Sequence, residues 1–202
     1  MKKFITLALA FCIALSASIC TSAAEIDTDG GSGSTPVYLS STEDGTMEGD
    51  PSATAMSVTV PTALPMAMSQ TGDVTTADNC QIINNSYGAV RVKSVTISAE
   101  NGWSLTAFGD KSTLASEKVD SDQLGFAICI GDGEWAVTDN SNESAQALIS
   151  APINGCYMSG AGNAANNTVS VDYAAIVTPL STPVTNANIA NVVFVVEWDI
   201  AA

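Results

Sequence analysis

The chain has 202 residues, six cations against 21 acids for a formal net charge of −15, no histidine, 46% hydrophobic residues and 6% aromatics. Nucleic acid is excluded as a partner, because gripping phosphates draws on clustered Lys and Arg. The missing histidine removes Ser-His-Asp and Cys-His catalysis and histidine-dependent zinc sites, and the few aromatics leave a core of Val, Ile, Leu and Ala.

Residues 1–24 read as a secretory signal peptide. Lys2 and Lys3 form the charged start, Phe4 to Ile19 the apolar run, and Ser22-Ala23-Ala24 a small-residue cleavage site before Glu25. A membrane span needs about 20 apolar residues, and Ser16, Ser18, Thr21 and Ser22 interrupt this run, so no span is expected after cleavage. Cys20 follows Ile19 rather than a small residue, which argues against lipidation. Export leaves 178 residues, one domain's worth, with four cations (Arg91, Lys93, Lys111 and Lys118) against all 21 acids, a net charge of −17. Such a charge repels anionic membranes and wall polymers at low salt unless divalent cations bridge them, and its plainer effect is solubility. Cys80, Cys129 and Cys156 remain; one disulfide with a free thiol and three buried thiols both fit an odd count.

From residue 25 to about 54 the chain is Gly, Ser, Thr and acid, an acidic arm with one apolar patch at Val37-Tyr38-Leu39 that is suited to adding a strand to a neighbour. Residues 55–202 then alternate as strands. Val58 and Val60 precede Pro61; Leu64, Met66 and Met68 follow; Cys80-Gln81-Ile82-Ile83 leads to a turn at 84–88. Val90 and Val92 lie at even positions but Val95 and Ile97 at odd ones, so a bulge near Lys93-Ser94 is needed to give them one face. Asn101-Gly102 has the chemistry of a hairpin turn into Trp103-Ser104-Leu105. Leu124, Phe126, Ile128 and Ile130 share a face, as do Val169, Val171 and Tyr173. The strongest alternation is at 189–200, with Val192, Phe194, Val196, Trp198 and Ile200 expected inward and Val193, Val195, Glu197 and Asp199 outward; the sequence ends inside that strand. No segment shows capped helical spacing. The expectation is all-β: one antiparallel β-sandwich, Ig-like or jelly-roll-like, behind a flexible N-terminal arm.

The chemistry legible in the chain is sparse. The cysteines lack zinc-knuckle spacing and no phosphate-binding Gly loop occurs. Carboxylate pairs could run glycoside chemistry on paper, but the aromatics for a sugar platform are few, so no enzyme is expected. Calcium is the one cofactor considered. Asp27 and Asp29, Asp120 and Asp122, and Asp132 and Glu134 each set carboxylates two apart in loops, as oxygen ligation requires, although none completes a twelve-residue calcium loop and solvated acids are the plainer reading. Asn84, Asn142 and Asn166 head glycosylation triplets that are read as chance.

Two motifs remain. Trp103-Ser104-Leu105 and Trp198-Asp199-Ile200 each put Trp and an aliphatic residue two apart, on one strand face. The pair resembles the WxL-type surface proteins of Gram-positive bacteria, secreted β-rich proteins that associate non-covalently with the cell wall; Ile200 departs from the second Leu of that pattern. The resemblance implies a non-catalytic, secreted or wall-associated protein whose partners are wall polymer or other surface proteins, with Trp103, Leu105, Trp198 and Ile200 as candidate binding residues. Both tryptophans also suit a sandwich core. No LPxTG signal with an apolar anchor and basic tail is seen, which argues against sortase attachment. A fibre subunit built by self-association, with the 35–40 strand or the last strand completing a neighbour's sheet, is the alternative.

Overall fold

The computed structural model describes residues 55–200 apart from 142, all within one unit, Ser41–Ala202. Residues 1–24, read above as a leader, residues 25–54, read as an arm, with Asp27, Asp29 and the 37–39 patch, and Asn142 lie outside the described residues. In chain order the strands are β1 (Val58–Thr59), β2 (Met66–Met68), β3 (Val74–Thr76), β4 (Gln81–Asn84), β5 (Val90–Ala99) and β6 (Ser104–Thr106). A single helical turn, α1 (Ser112–Ala115), precedes β7 (Gln123–Ile130), β8 (Ala136–Val137), β9 (Ala145–Ile149), β10 (Tyr157–Met158), β11 (Thr168–Val177) and β12 (Ala190–Trp198).

These strands form a β-sandwich. One sheet runs β1-β4-β11-β7-β6, with β8 beside β6 on β7; the other runs β10-β5-β12, with β9 beside β10 on β5; β2 and β3 make a separate ribbon. Between the two sheets lies one core, in which Ile82, Val90, Val92, Val95, Ile97, Phe126, Ile128, Ile130, Ile149, Val171 and Tyr173 pack together. It is aliphatic, as the composition requires, with one stacked aromatic pair, Phe126 and Tyr173, at 6.1 Å between centroids.

β5 organises the second sheet, and the phase change in its sequence is resolved by a bulge. Val195 lies opposite Ser94 and Val196 opposite Val92, so Lys93 is the extra residue. Two outward residues in succession let Val90, Val92, Val95 and Ile97 all reach the core, where each is fully buried.

Two expectations need correction. The Asn101-Gly102 turn forms, with φ of 52° and 88° and a 3.0 Å bond from the Trp103 N–H to the Glu100 carbonyl, but it does not make a hairpin. Both edges of β5 are already taken, by β12 on one side and by β9 and β10 on the other, so the chain crosses to the other sheet. There β6 pairs with β7 in parallel, the one parallel pair among the described residues. The last strand closes at Trp198, and Ile200 is 73% exposed rather than inward, because the Asp199 N–H to Ala89 carbonyl bond is the last rung of the ladder. Among the described residues β12 lies at the edge of its sheet, and its inward residues are half-buried.

The bulge makes a test. Deleting Lys93 returns β5 to regular alternation with all four aliphatics still inward, and should cost less than about 1 kcal/mol, the scale of the exposed ion pair it removes. Deleting Thr96 turns Ile97 to the outside and should cost at least about 1.5–3 kcal/mol. Denaturant midpoints of the two deletions, compared with the parent, check the pair.

Candidate interaction surface

The two tryptophan motifs do not converge. Trp198 lies opposite Val90 at one end of β5, and Trp103 follows the turn at the other end, beyond Ala99; nine residues of strand separate the ends, about 30 Å. Both indoles are half-buried and pack against the core, and Leu105 is buried. Trp198 lies across the Gly88 backbone so closely that a Cβ there would sit 3.0 Å from its ring, which explains a glycine next to the strand. Of the four candidate residues, only Ile200 has its side chain well exposed.

What the last strand does present is its outer face. The ladders set Tyr157, Arg91 and Glu197 in one row, then Ser94 and Val195, then Ala147, Thr96 and Val193, then Ala145, Ser98 and Asn191. Apart from Lys93 on the bulge, next to the first row, this face carries small and β-branched side chains between the end rows, with Val193 53% and Val195 43% exposed. Its charges sit at the ends and are paired. Arg91 donates to Glu197 through Nε and Nη2, both at 2.9 Å, and reaches Asp199 at 3.4 Å; Lys93, on the bulge, meets the other Glu197 oxygen at 2.9 Å. At the far end Asn191 donates to Glu100 at 2.8 Å. Two of the four cations outside the leader are thus spent on one acidic end row, leaving a locally neutral strip on a strongly acidic chain.

The other groups singled out are engaged elsewhere. Asp120 spends both carboxylate oxygens on Ser181, at 2.8 and 2.6 Å, and among the described residues no three acids or cysteines gather as metal ligands. Cys80, Cys129 and Cys156 are free thiols, and burial pushes the Cys129 and Cys156 thiols up, away from nucleophilic thiolate. The Asn84 amide is fully buried and donates to the carbonyls of Gly88 and Ser159, so it is no glycosylation acceptor. A shallow cleft of about 330 Å³ lies beside Phe108, Leu114, Gln123 and Asn140; its lining holds one carboxylate, Glu117, not the pair that glycoside chemistry uses.

Sequence reasoning passed over Trp135. It stands 52% exposed beside β8, with Val137 exposed on the same side. The alternation Trp135-Ala136-Val137 after Asp132-Gly133 was the available signal. No family model, curated protein or solved structure matches the chain.

The charged end row has a measurable signature. Hydrogen bonds from Lys93 first, then from Arg91, hold the Glu197 carboxyl below its ordinary value of 4.5. A carboxylate lowered in the folded state stabilises above its unfolded value, and that contribution is lost as pH falls through the lowered one. The NMR titration midpoint of Glu197 should therefore lie below 4.5 and move upward in K93A; an unmoved midpoint would remove Lys93 as the main cause.

Proposed function

We propose that the chain is a secreted, non-catalytic bacterial cell-surface protein, an interaction module that associates non-covalently with the cell wall or with other surface proteins. The observation that carries this reading is the neutral strip on the outer face of the second sheet. The patch of Val193, Val195, Ala147 and half-buried Thr96, with charge held at its rim, shares the charge depletion of an interface core rather than the make-up of ordinary acidic surface. The leader-like segment 1–24 supports export, and the resemblance to WxL-type proteins supports the wall as the destination. Repulsion from anionic wall polymer makes close contact on a neutral face the way such a protein would bind, because charge effects fade beyond about 10 Å at 0.1 M salt.

The fibre alternative is favoured by one feature, the edge of β12 beside this face, which no other strand among the described residues pairs. Sedimentation with purified Gram-positive walls separates the two. A wall binder pellets only with walls, persists as salt rises from about 0.05 to 0.5 M, and loses binding at least tenfold in T96K/A147K. A fibre pellets without walls. Full solubility in every tube would overturn both.

A further inference from the structure

On that reading of the β12 face, we infer that its free edge is occupied by a second copy of the same chain, β12 pairing antiparallel with β12 about a two-fold axis at Phe194. The first ground is the edge itself. β12 pairs with β5 along all nine of its residues, and no other strand among the described residues pairs with it. Natural sheets blunt an edge of this length with Lys, Pro or a bulge. β12 reads Ala-Asn-Val-Val-Phe-Val-Val-Glu-Trp, without Pro or Lys, and the bulge in its ladder lies on β5.

The second ground is register. The Glu100 N–H donates to the Ile189 carbonyl at 3.0 Å, and the Asp199 N–H donates to the Ala89 carbonyl at 3.0 Å. At both ends, then, the odd-numbered residues turn their backbone groups toward β5. Alternation leaves the N–H and C=O of Ala190, Val192, Phe194, Val196 and Trp198 facing the free edge. An antiparallel copy must match even positions with even positions, so the two-fold axis falls on a residue rather than between two, and of these the one at Phe194 alone overlaps all nine residues. Val192 then bonds with Val196 of the second copy and Ala190 with Trp198.

Charge selects the occupant. Copies of a strongly acidic chain repel wherever acids face each other, at a cost that grows as salt falls. In the Phe194 register the outer face brings Val193 against Val195 of the second copy and Glu197 against Asn191, a neutral residue. The two Glu197 side chains lie six residues apart along the strand, about 20 Å and beyond the screening distance at 0.1 M salt. The neutral strip is therefore self-complementary where most of this surface is self-repelling. The product is a closed dimer with the second sheets joined, and it presents the outer face twice, which strengthens attachment to a repeating polymer by avidity.

The test uses the chain recovered after export from a bacterial host, by sedimentation equilibrium from about 1 to 300 µM, because a single strand pair is a small interface and weak association is expected. A monomer–dimer equilibrium is expected, weakened at least tenfold in V193K/V195K with an unchanged melting temperature, since both positions are exposed. Register is read by mixing V193C and V195C chains under mild oxidation: the mixture should form disulfide-linked dimers, and each variant alone should not. A monomer throughout, a dimer indifferent to V193K/V195K, or cross-linking in either variant alone overturns the proposal. Association that vanishes when residues 25–54 are removed overturns it in favour of the arm as occupant. Wall binding by a strict monomer would overturn the dimer and keep the proposed function; a dimer without wall binding does the reverse.

Discussion

The ladder between β5 and β12 is the interaction on which the rest of the second sheet depends, and the extra residue within it sets both of its faces. Inward, the bulge at Lys93 lets four aliphatic side chains from a ten-residue strand reach one core, all fully buried. Outward, Arg91 and Lys93 lie two apart and so share a face, and the two cations bracket the Glu197 carboxylate. Without the extra residue, strict alternation along this sequence would turn Val95 and Ile97 away from the core.

Because β5 is bonded on both edges, its successor must leave the sheet, and this decides the topology. The tight turn at Asn101-Gly102 reverses the chain, and β6 continues on β7 of the facing sheet with Leu105 buried against Leu124. β7 is in turn paired on both edges and buried along nearly its whole length. In the first sheet β4 and β11 are likewise paired on both sides, and the strands with a single partner among the described residues lie at the margins.

Much of this was legible in the residues. The spacing of Val90, Val92, Val95 and Ile97 requires a bulge, and strands of period two with frequent turns imply a sandwich. What eluded sequence reasoning depends on partners distant in the chain. Turn chemistry at Asn101-Gly102 is local, but whether a hairpin follows depends on whether the edge of β5 is vacant, which β9, β10 and β12 decide. Alternation in β12 shows two faces and not whether the strand is central or marginal, so Val193 and Val195 read as merely outward. The Trp103 and Trp198 motifs look alike in sequence, yet the ladder holds them at opposite ends of β5, and no count of residues between them reveals that. Trp135 escaped notice because its strand is two residues long.

The β2–β3 ribbon stands apart from both sheets. A two-stranded ribbon has little stability of its own in water, and this one is held by Leu64, Met66 and Val74 against the core and by a single phenol. The Tyr173 hydroxyl donates to the Pro65 carbonyl just before β2 and accepts from the Ala77 N–H just after β3, at 3.1 Å, while its ring is stacked in the core. One side chain of β11 thus latches both ends of the ribbon at once. With that latch and the Lys111–Asp73 ion pair at the ribbon's turn released, both strands would come free together and expose only the margin of the core, so the ribbon amides are expected to exchange with solvent water before those of β5 and β7.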